Sequence, residues 1–181
     1  MCSSDLVQHT LVLDKLTTAF GQATALLHLN GKQPFALNGG IELAGLYEQE
    51  KISEKFQLAA QLSGSLQELG IALTATGDKL NGNADVVATP FATVPLKRAK
   101  VDVQHVNPQA FSSGAPKADL QLRADLAPVA GATAENLRVA GAVEVSNAIA
   151  GSLDQQRLPL SSVKAKVDLG VDSQQLSDLR I

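Results

Sequence analysis

Leu, Val, Ile and Ala recur at every second position through most of the chain, with polar residues between them. That period is the signature of strands with one oily face. The clearest stretch is "KADLQLRADLA", where Ala118, Leu120, Leu122, Ala124 and Leu126 share one parity and Asp119, Gln121, Arg123 and Asp125 the other. Earlier in the chain, Ala25, Leu27 and Leu29 alternate, followed by Phe35, Leu37, Ile41 and Leu43. Leu58 and Leu62 stand against Gln57 and Gln61, then Ile71 and Leu73 lead to Ala84 and Val86 among Asn83 and Asp85. Val101 and Val103 alternate with Lys100 and Asp102, and Leu137, Val139, Val143 and Val145 follow further along. Val163, Ala165, Val167 and Leu169 close the series against Lys164, Lys166 and Asp168. About nine strands of one design are predicted.

Between them lie "LNGKQP", "TGDKLNGN", "HVNPQAFSSGAP", "VAGATAEN" and "GSLDQQRLP", dense in Gly, Pro, Asn and Asp, which read as turns. "LNGG" is taken as a further tight turn, with Gly39 and Gly40 as a kink, and "YEQEKISEKF" as a solvated loop between strands. The unequal spacing excludes a strict solenoid period and suits a meander. Two oily faces could bury each other in a sandwich. However, the apolar positions hold few large rings, and "LSDLRI" begins a new alternation at Leu179 and Ile181. The expected fold is therefore all-β: an extended, curved open sheet, mostly an antiparallel meander, with an apolar concave face.

Composition narrows the chemistry. The 181 residues carry a net charge of −3, with Lys and Arg scattered, which offers no nucleic-acid footprint. Aromatic content is 3%, too little for base-stacking platforms. No apolar run approaches the roughly eighteen residues of a membrane helix, and no signal peptide is visible. "MCSSDL" resembles a translated sequencing adapter, so residues 1–6 are read as foreign to the fold and residues 7–181 as one β-rich section. Cys2 falls in that stretch, which leaves no disulfide framework and no thiolate site. His9, His28 and His105 have no metal-ligand spacing, and "GDKLNGNAD" lacks the order of a calcium loop. There is no nucleophile elbow, phosphate loop or dinucleotide fingerprint. The reading is of a protein without catalytic residues, metal or cofactor.

"VSNAIAGSLDQQRLPLSSVKAKVDL" resembles a segment of the TamB family, in which Asn-x-x-x-Gly-x-x-Asp-x-x-Arg-x-Pro joins one strand to the next. "PLKRAKVDVQHVNPQAF" followed by "KADLQLRADL", and "PFALNGGIELAGL", are similar to other units of that family. The resemblance covers the chain from about Ala23 onward and rests mostly on alternation and turn residues. It implies an interior section of an AsmA-like protein that is anchored in the bacterial inner membrane and spans the periplasm as a trough. The anchor and the region meeting a TamA-like outer-membrane barrel would lie outside this chain. It also implies a role in moving phospholipid between membranes and in outer-membrane protein assembly.

The partners expected are thus acyl chains and that barrel, with no nucleic acid. A sixteen-carbon chain crossing water unaided faces on the order of 12 kcal/mol, and a continuous oily face removes that barrier without catalysis. The expected groove residues are the apolar-parity Leu58, Leu62, Ile71, Leu73, Val86, Val101, Val103, Leu120, Leu122, Leu126, Val139, Val143, Val145, Val163, Val167 and Leu169. The competing expectation is a self-contained β-sandwich, or a structural scaffold that templates strands by edge pairing without carrying lipid.

Overall fold

A computed structural model describes residues 7–18, 21–49, 52–77, 80–110, 112 and 114–181. Residues 1–6, read from sequence as foreign, lie outside the described residues. Eleven strands form one open sheet whose spatial order is the order of the chain. They are β1 (Gln8–Thr18), β2 (Gly21–Asn30), β3 (Leu37–Gln49), β4 (Ile52–Gly64), β5 (Leu69–Gly77) and β6 (Leu80–Ala88). After them come β7 (Leu96–Val106), β8 (Leu120–Pro128), β9 (Val139–Asn147), β10 (Ser162–Leu169) and β11 (Gln174–Arg180). Every neighbouring pair is antiparallel. At about 4.8 Å per strand, the sheet runs roughly 48 Å from edge to edge.

The all-β, open meander expected from the alternation is what forms. A second layer is absent among the described residues, so the self-contained sandwich is not the fold. Strand number was underestimated. The leading strand β1 escapes a period-two search because Leu11, Val12 and Leu13 run together and a bulge separates Leu13 from Leu16. At the other end, β11 carries a second bulge, with Asp178 at φ 53, which breaks its alternation.

Two expected loops are strand instead. "YEQEKISEKF" is not a solvated loop: its described residues belong to β3 and β4, which pair Leu46 with Lys55, Tyr47 with Glu54 and Gln49 with Ile52. Ladder hydrogen bonds begun by the apolar half of the hairpin carry its charged end into the sheet, over weak local propensity. "LNGG" is not a turn either, because Leu37 to Gly40 open β3. Gly39 is needed there: a Cβ on it would collide with the Leu26 carbonyl oxygen, and its φ of 140° disfavours any side chain. Leu137 falls just outside β9, which starts at Val139.

The core is thin. Only Leu69, Ala118, Ala132, Ala165 and Val167 are buried apolar residues among those described. A single layer leaves cross-strand pairs to hold the sheet, with help from the loops at its two ends.

Candidate functional site

Side chains directly opposite in an antiparallel ladder share a face, so the register settles which residues lie together. One row crosses ten strands through Leu13, Ala25, Ile41, Ala60 and Leu73, and continues through Ala84, Val101, Ala124, Val143 and Ala165. A bulky residue alternates with alanine the whole way. A flanking row takes Leu62, Ile71 and Val86, then Leu126 and Val167, and ends on Leu176. The other flank takes Leu58, Val103, Leu122, Val145 and Val163.

Leu120 stands opposite Val106 and Asn147, and Val139 opposite Leu169. All sixteen residues singled out from sequence therefore lie on one face. No second layer of strands covers that face among the described residues: strand contacts run between sequential neighbours, and Leu73 is still 39% exposed, although Ala165 and Val167 in β10 are buried. Across β3 to β7 it is hollowed into a depression of about 390 Å³, with Ile41, Leu58, Leu73, Ala84 and Val101 in its lining. No polar atom is exposed there.

The opposite face changes character along the sheet. From β2 to β5 it carries Gln22, Thr24, Gln57, Gln61 and Thr74 together with Glu42 and Lys55. From β6 onward it is charged and ordered. Arg123 Nε donates to Asp102 at 3.0 Å and Lys100 lies 3.2 Å from Asp125, both across β7 and β8. Lys164 reaches Glu144 at 2.8 Å and Lys166 reaches Asp178 at 2.7 Å. The Arg123 guanidinium, with Gln104 and Gln121 donating to the same carboxylate, holds Asp102 below the usual range. Hydrogen bonding from Lys166 does the same to Asp178. A second hollow of about 620 Å³ opens on this charged face over β6 to β11. A twisted many-stranded sheet is saddle-shaped, which lets each face be hollowed along its own diagonal.

The loop motif behind the family resemblance has a structural role. Asn147 ends β9 as a buried polar residue. Its Oδ1 accepts from the backbone N–H groups of Asp119 and Ile149, at 3.1 and 3.2 Å, while Nδ2 donates to the Leu158 carbonyl at 3.3 Å. Loop 148–161 is thereby tied to the segment before β8, where Lys117 and Arg157 form a bridge. Gly151 leaves room for Arg157: a Cβ there would sit 2.6 Å from Arg157 Cδ, so a side chain would force the arginine to move. Asn107 repeats the device at the end of β7, accepting from the Gln109 and Ala118 N–H groups. The Asn-to-Pro motif is thus a latch between loops. Sequence reading quoted it without its role, and an Asn at each strand end before a long loop was the available signal.

No group of three or more His, Cys, Asp or Glu residues converges to hold a metal among the described residues. Two of the three histidines are engaged singly: His28 with Thr10 at 3.1 Å and His105 with Asp119 at 3.2 Å. No described helix is long and apolar enough to cross a membrane. Comparison with protein-family models, curated proteins and solved structures finds no match for the chain.

Proposed function

We propose that the apolar face is a surface for lipid acyl chains, and that the chain is a section of a TamB-like protein carrying phospholipid across the periplasm. The observation behind this reading is the uncovered apolar face, continuous by register across ten strands and hollowed without exposed polar atoms over five of them. A peptide laid there would strand its backbone N–H and C=O groups, whereas an acyl chain has none to satisfy. The loop motif and the meander support the family, as does the strand pattern of the sheet. In this reading a TamA-like barrel is met through a region outside this chain, and no residue acts catalytically.

The second reading is a structural scaffold that handles outer-membrane strands without lipid; an open sheet of strands in chain order favours it. Photo-crosslinking separates the two. Probes placed at Leu73, on the apolar face, and at Thr74, on the other, are challenged with a phospholipid bearing a labelled acyl chain. Labelling at Leu73 and not at Thr74 is expected, along with phospholipid in mass spectra of the purified chain. Equal labelling at both, or none at either, rejects the lipid surface.

A further inference from the structure

The hollow on the apolar face breaks the pattern of the rows around it. In those rows an alanine or glycine stands opposite bulky residues: Ala60 between Ile41 and Leu73, Ala99 between Val86 and Leu126, Ala124 between Val101 and Val143. The exception among the described residues is Ala75, which faces Gly82 across β5 and β6. Two adjacent places there hold no bulk. They lie in the floor of the hollow of about 390 Å³, with Leu58 beyond one and Val103 beyond the other. Ala84, next along β6 on the same face, carries the gap up to Leu73.

The fold does not require glycine at position 82. Glycine inside a strand weakens it, and is found at a bulge or bend, or where a backbone or a ligand comes close. The register runs unbroken through Gly82 on both sides, so there is no bulge. Its φ lies outside the left-handed region. A Cβ on it would stay 3.7 Å from the Asp102 carbonyl oxygen and would touch a Val103 methyl at 3.3 Å, which that side chain can relieve by shifting slightly. Gly39 and Gly141 differ, because a Cβ on either would collide with a carbonyl oxygen, of Leu26 and Asp125 respectively. At Gly82 the close approach of a ligand is the reason that remains.

We infer that Gly82 is a specificity-determining residue of the apolar face, opening a seat for a methyl branch on the acyl chain that lies there. This rests on the lipid reading above. A straight methylene chain has one width throughout. Laid over a double gap it leaves space unfilled, and loses contacts that a branch would make with Leu58, Leu73 and Val103. No polar atom is exposed in the hollow, so a hydroxylated or charged side group would be desolvated there without a partner.

Displacement of a fluorescent fatty acid from the 181-residue chain tests this, comparing hexadecanoic acid with phytanic acid, which bears methyl branches on the same main chain. Wild type is expected to bind both, the branched acid about tenfold or more tighter. Gly82→Leu fills the seat, and should remove most of that preference while hexadecanoic acid still binds. Ala75→Leu fills it from the facing strand with the same result, and decides the matter if Gly82→Leu loses its strand signal in circular dichroism. Gly82→Ala should narrow the preference in part and keep or raise the urea midpoint, because the strand gains a side chain. A lower midpoint in Gly82→Ala would make the glycine structural and overturn the inference. No preference in wild type, or one unchanged in the filled variants, overturns it and leaves the lipid surface standing. Binding of neither acid by wild type rejects the lipid surface itself, and the seat with it.

Discussion

Arg123 donates to Asp102 directly across the ladder between β7 and β8, and that pair fixes what the oily face leaves open. Sliding one strand by a single residue would turn every side chain to the wrong face, so burial forbids it. Sliding by two keeps every apolar residue in place and breaks no parity. One such slip brings Asp102 opposite Asp125, and the other brings Lys100 opposite Arg123. Each exposed ion pair adds little to stability by itself. The first slip is repulsive, and in the second Arg98 opposite Asp125 only offsets the Lys100–Arg123 clash, so the native alignment, with two attractive pairs, is favoured over both.

Reversing one charge should therefore expose the lock. Asp102→Lys is expected to lower the urea midpoint measurably, through a like-charge pair with Arg123. Adding Arg123→Asp should recover most of that loss. A double variant no more stable than Asp102→Lys would show that the pair does not couple.

Acid should weaken the same half of the sheet. Asp102 is held below its ordinary value of 3.8, chiefly by hydrogen bonding from Arg123 and then from Gln104 and Gln121. Asp178 is lowered by Lys166. A carboxylate with a depressed folded-state pKa contributes stability above its unfolded value, which is lost as pH falls through the folded one. Urea midpoints should thus hold steady from neutral pH to about 4 and decline below it, as the unfolded chain takes up protons first. In Asp102→Asn the decline should be shallower. An unchanged acid limb would remove Asp102 from the account.

Asn147 is the most consequential polar side chain in the loops. Asn147→Ala leaves the Asp119 and Ile149 N–H groups and the Leu158 carbonyl without their side-chain partner. Unsatisfied part-buried groups cost about 1–3 kcal/mol, so chemical unfolding should show a loss of that order. Asn107→Ala should cost less, because one of its two hydrogen bonds is 3.5 Å long. A larger loss at Asn107 would reverse the ranking of the two latches.

Much of this architecture was legible because a strand's period is short and its faces differ. Alternation in "KADLQLRADLA" or "SVKAKVDL" needs no partner to be read, and a meander follows when every turn is local. What escaped depended on neighbours. The bulges in β1 and β11 shift parity inside a strand, and only the opposite ladder reveals them. The charged end of the β3–β4 hairpin is strand because the apolar end is. On the face itself, parity alone brought sixteen residues together. The alternation of bulky residues with alanine across strands is invisible along any one of them, since it exists only in the register.

The structure also changes which substitution tests the apolar face. Val167→Asp is the natural choice from sequence, with Lys166→Asp as its polar-face control. Val167, however, is only 8% exposed, so a carboxylate there would unfold the strand before it could obstruct anything. Lys166 is bound to Asp178 at 2.7 Å, so its reversal sets two acids together and is no neutral control. Leu73 is the better site: it is central in β5, 39% exposed, and lines the hollow. Its charge would sit in water and leave the ladder intact, while placing an ion where a methylene chain must lie. Leu73→Asp should cut binding of a labelled acyl chain by about tenfold or more, given the cost of desolvating a carboxylate. Thr74→Asp, one residue along on the opposite face, should bind like wild type, and both should keep the strand signal in circular dichroism. Equal binding by the two variants would mean that the apolar face is not where the acyl chain lies.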